Sequence, residues 1–136
     1  MKTLQKIASF LQQHHVLTLA TTSQNLLSCC NLFYVYIPQE KSFIVASSED
    51  TLHIQNILQN SAVAGSVVLE TKKVGKIQGL QFRGEFKKLE QQELKKEYFK
   101  AFPYALALNP TLWQIELTYM KFTDNRLGFG KKLIWP

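Results

Sequence analysis

The chain has 136 residues, a net charge of +6, and 46% of its residues are hydrophobic. This length and composition predict one domain with a substantial core, spanning residues 1–136. No apolar run approaches the roughly 18 residues of a membrane span, and Gln5, Gln12 and Gln13 interrupt any leader-like segment near the start, so we expect a cytoplasmic protein without a membrane segment.

The positive charge does not by itself indicate a nucleic-acid partner. Only Arg83 and Arg126 of the sixteen basic residues are arginines, the side chain best suited to reading guanine edges, and the lysines are scattered in pairs. The two cysteines, Cys29 and Cys30, are adjacent and would point to opposite faces of a strand, so we expect two reduced thiols.

The hydrophobic pattern predicts an α+β chain that is mainly β. Leu4, Ile7 and Leu11 recur at helical spacing in residues 2–13, and a strand is predicted at 16–22. Further along, the pattern predicts strands at 26–37, 42–46, 62–69 and 77–89, a helix within 51–60, and a helix over 90–102 that buries Leu94, Tyr98, Ala101 and Phe102 and stops at Pro103.

Residues 26–37 are apolar on both faces, which is typical of a central strand or of one at a subunit interface. In the strand after residue 111, Trp113, Leu117 and Tyr119 are predicted to share one face before the apolar phase moves to Met120, and this slip predicts a β-bulge. Residues 132–135 are predicted to close the sheet. Many short strands with few helices favour a closed antiparallel barrel with helices outside it.

The segment SSEDTLHIQNILQNSAV, residues 47–63, favours an anion site. A strand ends there, hydroxyl groups cluster, and a helix begins with its N–H groups directed at the same place. The alternative reading is that Ser48 or Asp50 only caps the helix.

Several segments together resemble a known family. The spacing of Thr51, His53, Asn56, Asn60 and Val63 is similar to the T/S-x-K-x-x-N-L-x-x-N-P-x-V segment of the pyridoxamine-phosphate-oxidase-like flavin split barrels. The stretches HVLTLA, NLFYVY, QGLQFRGEFKKLE and KFTDNRLGFGKKLIW resemble the YhbP-like bacterial branch of that superfamily. The resemblance implies a six-stranded antiparallel split β-barrel, a homodimer, and flavin mononucleotide (FMN) at each subunit interface.

The resemblance also implies roles for individual residues. The FMN phosphate would lie at Ser47, Ser48 and Thr51, with His53 at the position of the basic residue that neutralises it. The flavin ring would lie near Thr21 and near Gln78 or Arg83, and the partner subunit would contribute its Lys131 and Trp135.

The chain departs from the family pattern at His53, where lysine is usual, and a histidine of ordinary pKa is mostly neutral at pH 7. Two functions therefore stay open: a flavin-dependent oxidoreductase acting on a small molecule, or a non-enzymatic protein that binds another phosphate-bearing or heme-like ligand. We expect no metal site, because the neighbouring His14 and His15 cannot share one helix face, and no G-x-S-x-G motif supports a hydrolase.

Overall fold

The computed structural model describes residues 2–136. The helices and strands lie within one or two residues of most of the predicted bounds. In chain order they are α1 (Lys2–Gln13), β1 (Val16–Ser23), β2 (Leu26–Ile37), β3 (Ser42–Ala46), α2 (Leu52–Gln59), β4 (Ala62–Val68), β5 (Gln78–Lys88), α3 (Gln92–Ala101), α4 (Pro103–Ala107), β6 (Leu112–Asp124) and β7 (Lys132–Trp135).

Six strands form a closed antiparallel barrel, which confirms the predicted fold. They are hydrogen-bonded in the order β3, β2, β1, β4, β5 and β6, and β3 also pairs with β6, so the sheet has no open edge at that point. The prediction that residues 132–135 close the sheet was wrong. Those residues form β7, which pairs only with the second half of β6.

The strand β6 carries the predicted bulge. Arg83 lies opposite Tyr119 and Gly84 lies opposite Leu117, so Thr118 is the extra residue. The inward-facing phase changes after Leu117, and Tyr119 is therefore half-exposed on the outer face. The prediction that Tyr119 shares a face with Leu117 was wrong, because Thr118 is the inserted residue and the inward-facing pattern shifts before Tyr119.

The barrel interior is the main hydrophobic core. Inward-facing aromatic and aliphatic side chains from all six strands fill it, and α1 packs Ile7, Phe10 and Leu11 against them. Fully buried strand residues include Leu17, Leu19, Phe43, Leu80, Phe82, Ile115, Met120 and Phe122. At ~25 cal/mol per Å² of buried apolar surface, this interior is the main source of the favourable free energy of folding.

A second, smaller core lies outside the barrel, where α3 covers β2 and β3. Leu94 and Tyr98 are buried there, as predicted, whereas Ala101 is exposed and Phe102 is half-buried. Pro103 follows the end of α3, as predicted, and occupies the first turn of α4, a position where its missing N–H leaves no hydrogen bond unmade.

The outer faces of β1, β2 and β4 expose apolar side chains that no helix covers. The exposed fraction is 45% for Val16, 82% for Leu27 and 64% for Val68. We call these three residues the outer apolar face. Within residues 2–136, no helix has both the length and the apolar character needed to cross a membrane.

Candidate functional site

Ser47 follows directly after β3, and its backbone is held on both sides. The Ser47 N–H donates to the carbonyl oxygen of Thr111 at 3.1 Å, and the indole N–H of the buried Trp113 donates to the Ser47 carbonyl oxygen at 2.9 Å. These bonds fix the place at which the chain leaves the barrel. The Ser47 side chain is therefore held at a defined point next to the start of α2.

Three of the predicted site residues meet at this point. The Ser47 Oγ lies 2.5 Å from Nε2 of His53, and the Thr51 Oγ1 lies 3.3 Å from the same nitrogen. The two hydroxyl oxygens are 3.5 Å apart. We call Ser47, Thr51 and His53 the α2 corner. Ser48 is exposed beside it, and its carbonyl oxygen accepts a hydrogen bond from the Thr51 hydroxyl at 2.9 Å.

The start of α2 keeps its N–H groups available. Thr51 has the extended backbone of an N-cap residue, but its side chain makes no capping hydrogen bond to the helix. The alternative that Ser48 or Asp50 caps the helix is therefore not what the structure has, since Thr51 holds that position. The first-turn amides and the positive end of the helix dipole are therefore not occupied by a capping side chain.

His53 is a neutral partner in this arrangement. The side chain is half-buried, and burial lowers its pKa from the ordinary value of 6.5. An imidazole that is uncharged at pH 7 offers one N–H donor and one acceptor nitrogen. The corner thus supplies donors for an anion but no full positive charge of its own.

Space for a ligand lies next to Ser47 and Ser48. A cleft of about 420 Å³ opens there, bordered also by Glu49, with Leu108, Pro110 and Thr111 on its other side; Thr51 and His53 do not line it. Each residue of the α2 corner is partly exposed, so a bound group could replace the contacts that the three side chains now make with one another.

Two predicted ring-contacting residues have their polar groups engaged inside the subunit. Thr21 is buried, and its hydroxyl accepts a hydrogen bond from the Asn56 amide at 3.1 Å, which docks α2 on the end of the barrel. Gln78 is buried by Arg126, which donates to its side-chain oxygen at 3.0 Å. Gln78 lies five positions before Arg83 on β5, about 16 Å along the strand, so the structure does not bring these two predicted ring contacts together.

Arg83 lies on the outer face of the barrel. Its guanidinium carbon is 4.1 Å from the centroid of the Tyr119 ring, a cation–π contact. The strand register places the small residues Ala20 and Ala64 beside it in the same row. A shallow floor of small side chains, bordered by Arg83 and Tyr119, results.

The two predicted C-terminal residues differ in exposure. Lys131 is exposed, and its backbone N–H donates to the Gly128 carbonyl oxygen at 2.9 Å. Trp135 lies opposite Met120 and packs partly buried against the core of its own subunit. Neither residue contacts the α2 corner through a hydrogen bond within the described part of the subunit.

Sequence reasoning missed the part played by Trp113. Its indole bonds to Ser47 across 66 positions of the chain, and no local pattern in the sequence marks that bond. The sequence did mark Asn56, because this residue belongs to the family spacing that begins at Thr51. That spacing did not indicate that Thr21 is its hydrogen-bond partner.

Comparison with known proteins places this geometry in a family. Residues 3–122 match the family described as pyridoxamine 5′-phosphate oxidase. The UPF0306 protein YhbP of Escherichia fergusonii is 42% identical over 138 residues, an alignment that covers 99% of this chain and 94% of that protein.

The chain belongs to the pyridoxamine 5′-phosphate oxidase family, in its YhbP-like branch.

Solved structures extend the family fold to distant proteins. A heme-binding protein from Mycobacterium smegmatis superposes with a TM-score of 0.80 at 14% identity, covering 98% of this chain and 57% of that one. An FAD-binding protein from Mesorhizobium loti superposes with a TM-score of 0.72 at 13% identity, covering 87% of this chain and 91% of that one. At such low identities these likenesses show the barrel fold of the family and nothing of this chain's ligand.

Proposed function

We propose that this member of the pyridoxamine 5′-phosphate oxidase family is a cytoplasmic homodimer that binds FMN at its subunit interface and uses it as a flavin-dependent oxidoreductase on a small molecule. The observation that carries the proposal is the α2 corner, where two hydroxyls and an imidazole meet at the start of a helix that no side chain caps. Such a set of donors suits a phosphate group.

The residues of the corner fit a phosphate in number and kind. A phosphate has three terminal oxygens, and Ser47, Thr51 and the exposed Ser48 can donate hydroxyl hydrogens to them while His53 donates a ring N–H. What the corner lacks is charge. We assign that charge to Arg83 or to Lys131 of the partner subunit, because both are exposed cations.

The outer face suits the flavin ring and the second subunit together. The small side chains of Ala20 and Ala64 leave room for a flat ring beside Arg83, and Thr21 stiffens this floor from inside the barrel through its bond to Asn56. A partner subunit that packs on the outer apolar face would cover this floor and keep water away from it. Trp135 of the partner subunit completes the set of proposed ring contacts, and Gln78, which is buried against Arg126, is left out of it.

The protein's own residues would bind and orient the cofactor, and bound FMN would supply the electron transfer. The corner would hold the phosphate end, and the positive charge of Arg83 would stabilise electron density on the ring. The dimer interface would provide the low-dielectric surroundings in which that charge acts strongly.

FMN titration tests the proposal. We expect protein freed of ligand to quench flavin fluorescence with a stoichiometry of one FMN per subunit, and NAD(P)H or dithionite to bleach the bound flavin. Thr51→Val should weaken binding about tenfold, since it removes one hydrogen bond to a charged group without changing the side-chain shape. Lack of saturable FMN binding would reject the proposal.

The alternative ligand is supported by the histidine at position 53. A corner without the family's lysine has lost much of the charge that retains a dianionic phosphate, which favours a ligand of lower charge or one of heme type. Mass spectrometry of small molecules released from native protein distinguishes the two functions. Recovery of FMN near one per subunit excludes the alternative, and recovery of a porphyrin or another phosphate compound in its place supports it.

A further inference from the structure

A second cleft, of about 440 Å³, lies away from the α2 corner. It forms where the C-terminal end of α1, the second half of β2 and the last turn of α3 meet. Its walls are mainly apolar and include Leu11, Phe33, Val35 and Phe102. A cleft of this size is within the range that takes small organic molecules.

The cleft exists because β1 is shorter than β2. β1 begins at Val16, opposite Phe33, and just before it the His15 carbonyl oxygen accepts a hydrogen bond from the Tyr34 N–H at 2.9 Å. Beyond that point β2 continues with a partner, β3, on its other edge only. Alternate residues present their backbone groups to the same edge, so the N–H and C=O of Tyr36 face the side on which the cleft lies.

The Tyr36 side chain adds an unused donor to the cleft wall. The residue is 6% exposed, and its hydroxyl makes no hydrogen bond with any residue from 2 to 136. Every fully buried side-chain polar atom of these residues has a hydrogen-bond partner. The unpaired Tyr36 hydroxyl is therefore not fully buried and can be reached from solvent. The neighbouring Tyr34 differs, since its hydroxyl donates to the Leu11 carbonyl oxygen at 2.7 Å.

The rim of the cleft is polar but carries no fixed charge. Gln12, His14 and His15 line it, and the His14 ring stacks on Phe10 with centroids 4.4 Å apart, which fixes its orientation. Burial, with a smaller contribution from the neighbouring His15, lowers the pKa of His14, so this imidazole is neutral at pH 7. Among the described residues that line the cleft there is no lysine, arginine or carboxylate.

We propose that this cleft binds an uncharged planar aromatic molecule that carries a hydroxyl or carbonyl oxygen, a phenol or quinone. The ring packs against the side of the Phe33–Phe102 pair, whose own rings are in contact with centroids 5.4 Å apart, and the ligand oxygen accepts a hydrogen bond from Tyr36. Because the rim carries no fixed charge, it offers no ion pair to a charged ligand. This site is separate from the FMN corner and does not rest on the proposed function.

1-Naphthol is a suitable probe, because it has a flat two-ring body and one hydroxyl and is uncharged at pH 7. Titration into the native protein, followed by amide proton–nitrogen NMR, should show saturable binding of one molecule per subunit with the shifts centred on His15, Tyr36 and Ala101. Tyr36→Phe should weaken binding by about five- to tenfold, the equivalent of one hydrogen bond.

Tyr34→Phe is the matched control, because it removes a hydroxyl from the same cleft that is already bonded within the protein. It should leave the affinity for 1-naphthol within about twofold of the wild type while lowering the urea midpoint of unfolding, because the bond to the Leu11 carbonyl oxygen is lost. Ala101→Trp, at an exposed position on the rim, should fill the cleft and abolish binding without unfolding the protein. The proposal is overturned if binding is not saturable, if Tyr36→Phe binds as tightly as wild type, or if excess FMN displaces the probe.

Discussion

His53 decides how the α2 corner responds to pH. Burial lowers the pKa of His53 in the free protein, so the ring is uncharged at pH 7 and above. A bound phosphate dianion stabilises the protonated ring, and binding therefore takes up a proton. FMN affinity should rise as pH falls from about 8 toward about 6, where the phosphate itself begins to take up a proton and the gain ends. Fluorescence titrations across this range measure the effect.

Two substitutions separate the charge of His53 from its hydrogen bond. His53→Lys should bind FMN about tenfold more tightly at pH near 8 and lose most of the pH dependence, because the charge is then permanent. His53→Gln keeps a donor but cannot titrate, and it should show a flat pH profile at the weak end. A Gln variant with the same pH profile as wild type would show that another group takes up the proton.

Asp124 makes the best-shielded ion pair of the described residues. It is 3% exposed and accepts hydrogen bonds from Arg126 at 2.8 Å and 3.0 Å. These bonds hold the pKa of Asp124 below its usual 3.8. A carboxyl with a lowered folded-state pKa stabilises the fold above its unfolded-state pKa, and that contribution is lost as pH falls from about 4 through the folded value.

Asp124→Asn should therefore lower the free energy of unfolding by about 1–3 kcal/mol at pH 7 and reduce the loss of stability below pH about 4. Urea denaturation at both pH values measures it. Glu116→Gln is the control, since Glu116 pairs with Lys87 at 2.9 Å but both side chains are half-exposed, and it should cost less than about 1 kcal/mol. Equal losses in the two variants would contradict the role given to burial.

At the scale of strands, the closeness of β4 to its neighbours depends on Gly65. A Cβ at this position would collide with the Thr18 carbonyl oxygen and the Phe82 ring, so β4 can lie beside β1 only if residue 65 has no side chain. Gly65→Ala should destabilise the barrel by about 3 kcal/mol or more, because neither the backbone of β1 nor the buried ring can move freely. A shift in the urea midpoint measures this effect.

Gly75→Ala provides the comparison, because nothing lies within 4 Å of a Cβ there. It should change stability by no more than about 0.5 kcal/mol. If Gly65→Ala proves equally silent, the close packing of β4 on β1 and β5 is wrong.

Local sequence patterns predicted most of the helices and strands, whereas features that depend on contacts between distant parts of the chain could not be predicted. Helical spacing in α1 and the phase slip in β6 are properties of neighbouring residues, so both could be read from the sequence. The pairing of Ser42 with Glu116, which closes the barrel, joins segments far apart in the chain. Neither segment by its own sequence indicates which strand it pairs with. The same distance hid the exact position of the bulge, since only the partner strand shows that Thr118 is unpaired.

The candidate site shows the same difference between local and distant contacts. Ser47, Thr51 and His53 lie within seven positions at a strand-to-helix junction, so their meeting could be predicted from spacing and from the family resemblance. Gln78 could not be placed, because its burial depends on Arg126 from another strand end. The cofactor roles of all nine predicted residues stay predictions.

At the scale of the whole molecule, the outer apolar face should be the dimer interface. Leu27→Glu places a charge on this face, at its most exposed residue, and desolvating that charge would oppose association. We expect sedimentation velocity to find a folded monomer that has lost FMN affinity. Tyr104→Glu is the control, because Tyr104 is 93% exposed on α4 and outside that face, and it should stay dimeric. A Leu27→Glu protein that remains a dimer would place the interface elsewhere.

The most direct test of the α2 corner compares FMN with riboflavin, which has the same ring and no phosphate. If the phosphate lies against Ser47, Thr51 and His53, FMN should bind at least about 100-fold more tightly, the equivalent of roughly 3 kcal/mol from several hydrogen bonds to a charged group. The double variant Ser47→Ala, Thr51→Val should reduce that ratio to about tenfold or less without changing the affinity for riboflavin. Equal affinities of the wild-type protein for FMN and riboflavin would contradict the account.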